Sequence, residues 1–425
     1  MFKKESEVIE WISNQLKFGI RPGLERLEMA LKQLGNPHLG LKTVHIGGTN
    51  GKGSTVTYLR SILQEAGYDV GTYTSPFIET FNERISLNDI PISEPDLVAC
   101  ANIAYPVIEE INQTELAPFT EFEIITLLSF IYFQMKHVDI VIYEVGMGGR
   151  LDATNVIHPL ACGITNVGHD HQEILGDTLA KLAYEKLGIV KQKTPLFTTE
   201  ERLELLTDFK ETALKKGSPF IEALKENKPE NIKFDIDKTT FDWPYLKNIN
   251  LTMKGEHQIK NATLAYTIIE YLKKHHRFLI TESNLRDGLR KAFWKGRFEV
   301  LQTEPTIILD GAHNIEGVEG LRKTIETLYP TKRHIFIISV LSNKEYSEMF
   351  ECLKPVSDFT YFTTFDHPKA QSAEIQYHAY QEENSAYEED NIKLVKKVLP
   401  TLTKNDCLII TGSLYFISEM RKYFI

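Results

Sequence analysis

The sequence holds only 4 cysteines in 425 residues. Cys100, Cys162, Cys352 and Cys407 lie far apart, with no CxxC pair. That pattern excludes a disulfide scaffold and a structural zinc site, and it fits four reduced thiols in a cytosolic protein. Long hydrophobic runs are equally scarce. The longest, residues 124–135, is too short to span a bilayer and is flanked by Glu123 and Lys136, so it reads as a buried helix. The amino terminus, Met1-Phe-Lys-Lys-Glu-Ser-Glu followed by an amphipathic stretch over 8–16, lacks the apolar core of a secretion signal. Positive charge is not in excess either: 48 Lys and Arg face 58 Asp and Glu, a formal charge of −10. Nucleic acid is therefore not the expected partner, although a local basic pocket can still hold a small anion. No internal repeat or low-complexity tract is present, which removes solenoids and tails.

What is there is the composition of a soluble globular protein, long enough for two domains. Residues 42–46 form a short β-type run, followed by a glycine-rich turn and a helical stretch over 54–66. Residues 70–74 read as a strand, 94–112 and 121–137 as helices, and 138–143 and 160–167 as strands apolar throughout. Residues 177–190 are helical, with Leu179, Leu182, Ala183, Lys186 and Leu187 at helix spacing. Apolar strands alternating with helices predict a parallel sheet covered on both faces. The stretch 229–251 is placed in irregular strands at the edge of the first domain, and 256–274 and 282–293 read as helices. Residues 294–297 make a hinge, after which the α/β alternation restarts with strands at 306–309, 334–340, 359–363 and 407–411. This predicts domains over 1–296 and 297–425, the second of about 130 residues. The acidic stretch 382–390 reads as a solvated loop.

The run Lys42-Thr-Val-His-Ile46 leads straight into Gly47-Gly-Thr49-Asn50-Gly51-Lys52-Gly53-Ser54-Thr55. A strand, then glycines, then a lysine and hydroxyls opening a helix is an arrangement for a triphosphate tail. Glycines let backbone N–H groups turn inward, the helix N-terminus favours negative charge, and Lys52 supplies a point charge to the β- and γ-phosphates. The usual GxxxxGK[ST] spacing is not met, since Ile46 stands at its first glycine and Gly53 at its hydroxyl position. A glycine-rich turn with a solvated lysine is the bland alternative, but it does not require Lys, Ser and Thr in one helical turn. Val138-Asp-Ile-Val-Ile-Tyr143-Glu144 is an apolar strand ending in a carboxylate, the position that holds Mg²⁺ beside the triphosphate in phosphate-loop enzymes.

The variant Gly-Thr-Asn-Gly-Lys-Gly-Ser resembles the phosphate loop of the folylpolyglutamate synthase/dihydrofolate synthase family, a branch of the Mur ligases. The resemblance extends to Glu144-Val-Gly-Met-Gly-Gly-Arg150-Leu-Asp152-Ala-Thr-Asn155, to Tyr73-Thr-Ser75-Pro-Phe77 and to Asn166-Val-Gly-His169-Asp170-His171. It implies that Thr49, Asn50, Gly51, Lys52, Gly53 and Ser54 hold ATP, that Ser75 and Glu144 hold a first Mg²⁺, and that His171 is a ligand of a second. On spacing alone, His169 and His171 read as a transition-metal pair. Glu185-Lys186-Leu-Gly-Ile matches the family block whose lysine is carbamylated, which implies that Lys186 becomes an oxygen ligand. Gly255-Glu-His-Gln258-Ile-Lys-Asn261-Ala resembles a nucleotide-binding helix start, with Gln258 and Asn261 on one face. Lys295-Gly-Arg297-Phe-Glu299 resembles the family's Gly-Arg-hydrophobic-Glu segment at the hinge, which implies that Arg297 clamps phosphate oxygens. Asp310-Gly-Ala-His313-Asn314 ends a strand, and by resemblance Asp310 contacts the nucleotide while His313 lies near the γ-phosphate and incoming glutamate. In Thr411-Gly-Ser413-Leu-Tyr-Phe, Ser413 is expected to help hold glutamate. Lys52, His171, Lys186 and His313 are thus the expected catalytic residues.

The fold implied is α/β: a Mur-ligase-like phosphate-loop ATPase domain with a parallel-rich sheet, followed by a smaller Rossmann-like domain. About 40 residues precede the phosphate-loop strand, too few for the UDP-binding domain of the peptidoglycan ligases. The expected activity is therefore ATP-dependent attachment of L-glutamate to folate-type carboxylates through an acyl phosphate, by a cytoplasmic monomer independent of membranes. The acceptors are dihydropteroate, reduced folates, or both. A folylpolyglutamate synthase without the dihydropteroate activity is the alternative. A phosphate-loop kinase or ATPase explains Lys52 and Glu144 but not the block around Lys186 or Arg297, and a nucleotide-binding regulator predicts ATP left intact.

Overall fold

A computed structural model describes every residue of the chain except Ile20. The chain makes two compact units, one of Met1–Pro229 with Lys260–Lys291, the other of Glu230–Ile259 with Ala292–Ile425.

The first unit is built on eight strands: β1 (Thr43–Gly47), β2 (Val70–Tyr73), β3 (Ile85–Leu87), β4 (Ile90–Pro91), β5 (Ile140–Glu144), β6 (Ala161–Ile164), β7 (Leu196–Thr198) and β8 (Phe220–Glu222). Their order is β4-β3-β2-β5-β1-β6-β7-β8. From β2 to β8 every pairing is parallel, while β3 and β4 add an antiparallel edge. Central strands β1, β5 and β6 are buried at every residue, as two-sided coverage requires. The apolar run of residues 124–135 lies in the helix Glu121–Lys136, started by a capping box in which Thr120 and Glu123 satisfy each other's backbone N–H. It packs in one core with the helix Glu94–Ile111 and with Tyr73 and Tyr143 of the sheet. Among the described residues no helix is long and apolar enough to cross a membrane.

The second unit has two sheets. Strands β9 (Glu230–Phe234), β10 (Thr239–Trp243) and β11 (Leu246–Leu251) form an antiparallel meander whose register shifts on both sides of β10 between Thr240 and Trp243. The irregular strands expected over 229–251 are present, but they belong to the second compact unit and not to the edge of the first. The larger sheet has the order β12-β13-β17-β14-β15-β16, from β12 (Glu299–Thr303), β13 (Thr306–Leu309), β14 (Arg333–Ile338), β15 (Phe359–Phe362), β16 (Ser385–Tyr387) and β17 (Asp406–Thr411). Only β12 is antiparallel to its neighbour. The acidic stretch 382–390 is solvated at Glu382, Glu383, Glu389 and Asp390, as expected, but it is not all loop. It contains β16, and the Glu389 carboxylate accepts the Ala373 and Glu374 N–H groups at 3.2 Å, at the start of the helix Ala373–Tyr380. Asp390 caps the helix Asn391–Val398 through the Lys393 N–H. Its negative charge complements two helix N-termini, a role set by tertiary placement. The fold class expected from the sequence is the one found.

Candidate functional site

Parallel strands deliver their C-terminal ends to one edge of the sheet, where α/β folds bind ligands. In the first unit that edge carries the turn after β1, Ser75 after β2, Glu144 at the end of β5 and residues 165–171 after β6. The turn after β1 is shaped by close approaches. Gly48 (φ +139°) and Gly51 (φ +86°) lie in the left-handed region, and a Cβ on Gly51 would run into the Asn261 amide. Only glycine fits both demands at Gly51. The loop is tied to the segment after β6: Thr49 N–H donates to Asn166 O and Asn50 N–H to Asn166 Oδ1, both at 3.0 Å. Thr165 Oγ1 donates to Asn50 O at 2.6 Å, and Gly168 N–H to Thr49 Oγ1 at 2.8 Å. Lys52 opens the helix Lys52–Glu65 and folds back, its Nζ donating to Gly48 O and Thr49 O at 3.1 Å each. Ser54 is buried in the first turn. Expected residues Thr49 to Ser54 thus form one cradle, joined by Asn261.

Glu144 stands beside it. β5 pairs β1 with Glu144 opposite Ile46, and pairs β2 with Tyr143 opposite Tyr73, so Ser75 and Glu144 leave neighbouring strands at the same edge. Glu144 is 5% exposed. Lys186, on the buried stripe of the helix Leu179–Leu187, is 4% exposed. Burial lowers its pKa to about 7; the Lys52 ammonium adds to the drop, and Asp170 opposes it. Lys52, Asp170 and Lys186 are therefore electrostatic neighbours. His171 sits at φ +54° with its side chain largely exposed and its Nε2 3.7 Å from Asp170.

No group of three or more His, Cys, Asp or Glu side chains is assembled around a cation position among the described residues. The donors at hand are a carboxylate and hydroxyls, the hard oxygen set that suits Mg²⁺ when substrate phosphates and water complete its shell.

Several residues at this edge were not singled out from the sequence. The Asp152 carboxylate accepts Met147 N–H at 2.9 Å and Thr154 N–H at 3.0 Å, so it fixes the turn that follows Glu144. Thr154 Oγ1 in turn lies 2.8 Å from Nε2 of the fully buried His45. Arg150 pairs with Glu185 at 2.9 Å and joins this turn to the helix of Lys186. Beyond Ser75, the Phe77 and Phe81 rings lie 6.1 Å apart, and the Arg84 guanidinium is 5.9 Å from Phe81 and 5.8 Å from Phe122. The Phe122 ring fills the space a Cβ on Gly146 would need. An aromatic every fourth residue, Phe77 and Phe81, followed by Arg84, was the signal available.

In the second unit the expected residues hold backbone. Asp310, 8% exposed, accepts Phe298 N–H through Oδ2 and Ala312 N–H through Oδ1, both at 2.8 Å. Burial raises its pKa above the usual aspartate value, against the pull of Arg297. Arg297 Nη1 donates to Gly311 O at 3.2 Å, and His313 Nδ1 donates to the same carbonyl at 2.7 Å. Asn314 caps the helix Ile315–Leu328, and Ser413 caps the helix Leu414–Phe424 through the Tyr415 N–H at 3.2 Å. Gln258 and Asn261, one turn apart in the helix Glu256–His276, are 1% and 4% exposed.

A phosphate loop opening one α/β unit and a strand-end Asp-Gly-Ala-His in another define a class. Residues 46–269 match the Mur ligase middle domain, residues 296–414 match the Mur ligase glutamate ligase domain, and the chain is a Mur ligase. More narrowly, it belongs to the folylpolyglutamate synthase/dihydrofolate synthase family. It is 41% identical to the dihydrofolate synthase/folylpolyglutamate synthase of Bacillus subtilis (strain 168) over 434 aligned positions, covering 99% of each chain. Among solved structures it is similar to the folylpolyglutamate synthase of Thermotoga maritima, with a TM-score of 0.87 and 33% identity over 99% of this chain and 96% of that one. The folylpolyglutamate synthase of Mycobacterium tuberculosis complexed with ADP and AMPPCP superposes with a TM-score of 0.90 at 26% identity over 99% of both chains.

Proposed function

We propose that this protein is an ATP-dependent ligase that joins L-glutamate to folate-type carboxylates, accepting both dihydropteroate and reduced folates. The observation that carries the reading is the gathering of Lys52, Glu144, Asp170 and Lys186 at one sheet edge around a glycine cradle. A carboxylate resists amines because its charge repels them and oxide leaves poorly. In the first step a substrate carboxylate oxygen attacks the γ-phosphorus of ATP; the bond to the bridging oxygen breaks, giving an acyl phosphate and ADP. The glutamate amine then attacks the acyl carbon, a proton is lost, and inorganic phosphate leaves. Lys52 offsets charge crowding among the phosphates in the first step.

Ser75, Glu144 and His171 are the proposed protein ligands for two Mg²⁺ ions, which supply Lewis-acid charge neutralisation. A pKa near 7 leaves much of the Lys186 amine neutral at neutral pH, the form that adds CO₂ with loss of a proton. The resulting carbamate turns a like-charge neighbour of Lys52 into an opposite one and adds an oxygen ligand. The Phe77, Phe81, Phe122 and Arg84 cluster is proposed to take the pterin ring by stacking and cation–π contact.

Residues 1–296 are assigned to ATP and the pterin substrate, residues 297–425 to glutamate. Gln258, Asn261, Arg297 and Asp310 are assigned to the nucleotide. Each Asp310 oxygen already takes one N–H, and a carboxylate oxygen has a second lone pair for a ligand hydroxyl. His313 and Ser413 are assigned to the glutamate side. The protein is proposed to act as a cytoplasmic monomer.

The test is mass spectrometry of the products formed from ATP and glutamate with dihydropteroate, and separately with tetrahydrofolate. Dihydrofolate from the first and added glutamates in the second are expected. A product from tetrahydrofolate alone would remove the dihydropteroate half, and ADP release independent of glutamate would overturn the ligase reading.

A further inference from the structure

Residues 295–299 adopt an unusual backbone. Gly296 lies at φ +67° and Phe298 at φ +45°, so two left-handed residues flank Arg297. Glycine accepts that conformation freely, whereas a phenylalanine adopts it only when its surroundings impose it. Two buried carboxylates do so. Asp310 Oδ2 accepts Phe298 N–H and Glu299 Oε2 accepts Gly296 N–H, each at 2.8 Å. Gly311 N–H closes the loop on Gly296 O at 2.9 Å.

Glu299 has an anchor of its own. The Arg421 Nε, 122 residues away on the helix Leu414–Phe424, lies 3.0 Å from Oε1 and 3.1 Å from Oε2. Glu299 is 6% and Arg421 8% exposed. A buried ion pair is a poor source of net stability compared with apolar side chains of the same volume. What this pair does provide is a fixed acceptor for the Gly296 N–H, one bond from the residue that carries the Arg297 guanidinium.

We propose that Glu299, held by Arg421, is a positioning residue for Arg297: it fixes the left-handed turn at Gly296 and so holds the guanidinium in the orientation in which it serves the nucleotide. This rests on Arg297 serving the nucleotide. Preorganised cations gain their catalytic effect from being held in place before the charge develops, and a displacement of about 1 Å is enough to cost on the order of 100-fold. Glu299→Gln presents an NH₂ either to the Arg421 guanidinium, which loosens the anchor, or to the Gly296 N–H, which releases the turn directly.

The experiment compares the unaltered protein with Arg297→Ala, Glu299→Gln and the double variant, reading kcat and KM for ATP in glutamate-dependent ADP release, with thermal unfolding alongside. Glu299→Gln is expected to lower kcat/KM for ATP about 10- to 100-fold, yet to change it less than about twofold when Arg297 is already alanine. That dependence on background is what a merely structural role does not produce. Losses that multiply in the double variant would overturn the positioning role and leave the assignment of Arg297 standing. An Arg297→Ala protein as active as the unaltered chain would overturn both. Should Glu299→Gln lose its cooperative unfolding transition, Glu299→Met with Arg421→Met removes both charges together, and the same dependence on Arg297 is expected.

Discussion

The strand ends of the two units use their polar residues in opposite ways. At the first sheet, ionisable groups are crowded where charge is costly: Lys186 is buried within electrostatic reach of Lys52, and Glu144 is 5% exposed. At the second, the side chains named by the same kind of motif are spent on their own backbone. Asp310 takes two N–H groups, Asn314 and Ser413 cap helices, and His313 bonds a carbonyl two residues back. One edge holds buried charge, and the other holds conformation. A motif residue therefore does not announce whether it acts through its charge or through the loop it holds.

The largest effect expected from this contrast is at Lys52. Lys52→Ala should lower kcat/KM for ATP by about 10²- to 10³-fold, with little change in thermal unfolding, because its ammonium bonds two carbonyls of its own loop. Steady-state ADP release checks it; a loss matched by a collapse in stability would mean that Lys52 holds the loop, as the second unit's residues do.

Lys186 comes next, and its sign is distinctive. Lys186→Met should cost about 100-fold in activity and raise the unfolding temperature at pH 7. With CO₂ excluded, the folded chain holds the amine neutral above about pH 7, while the unfolded chain keeps it protonated up to its ordinary value of 10.5. Between those limits the unfolded state binds the extra proton, so stability rises with pH across the window. The cost of burial is complete below pH 7 and absent above 10.5. Melting curves from pH 6 to 10 should show a slope in the unaltered protein that Lys186→Met lacks. Asp152→Asn should have a smaller effect, about 1–2 kcal/mol of transition-state stabilisation or roughly 5- to 30-fold, because its amide cannot accept both Met147 N–H and Thr154 N–H; Mg²⁺ titration of activity would show the turn after Glu144 loosened.

Much of this was legible in the chain. Residues 306–309 were read as a strand with the limits that β13 has, since an apolar run bounded by Pro305 and Asp310 leaves little choice. Lys186 fell at helix spacing with Leu182, Ala183 and Leu187, the stripe that is buried. What escaped notice has a common physical cause. β7, β8 and β16 have three residues each, too few for a period to show. Glu389 and Asp390 are solvated as expected, and their acceptor role escaped notice because it depends on helices that only the fold brings near. Asp152 and Asn166 were quoted within motifs without a task, since each works on a backbone group that sequence spacing does not place. Groups that carry charge to a site were thus easier to read than groups that hold a backbone N–H, and Asp152 and Asn166 show this on the first edge as Glu389 and Asp390 do in the second unit.

Ser413 tests that distinction where the effect is smallest. Its side chain is 2% exposed and caps the helix Leu414–Phe424 through the Tyr415 N–H. Removing such a cap costs about 1 kcal/mol. If Ser413 serves glutamate through the turn it holds, Ser413→Ala should lower stability by about that amount and raise KM for glutamate by no more than about fivefold, leaving kcat near its original value. Ser413→Asp keeps a capping acceptor while adding a negative charge at the helix N-terminus, so it should restore stability. If KM for glutamate recovers with it, the turn is what matters. If stability recovers while KM climbs further, the hydroxyl itself meets the anionic substrate, and the two sheet edges differ less than their hydrogen bonds indicate.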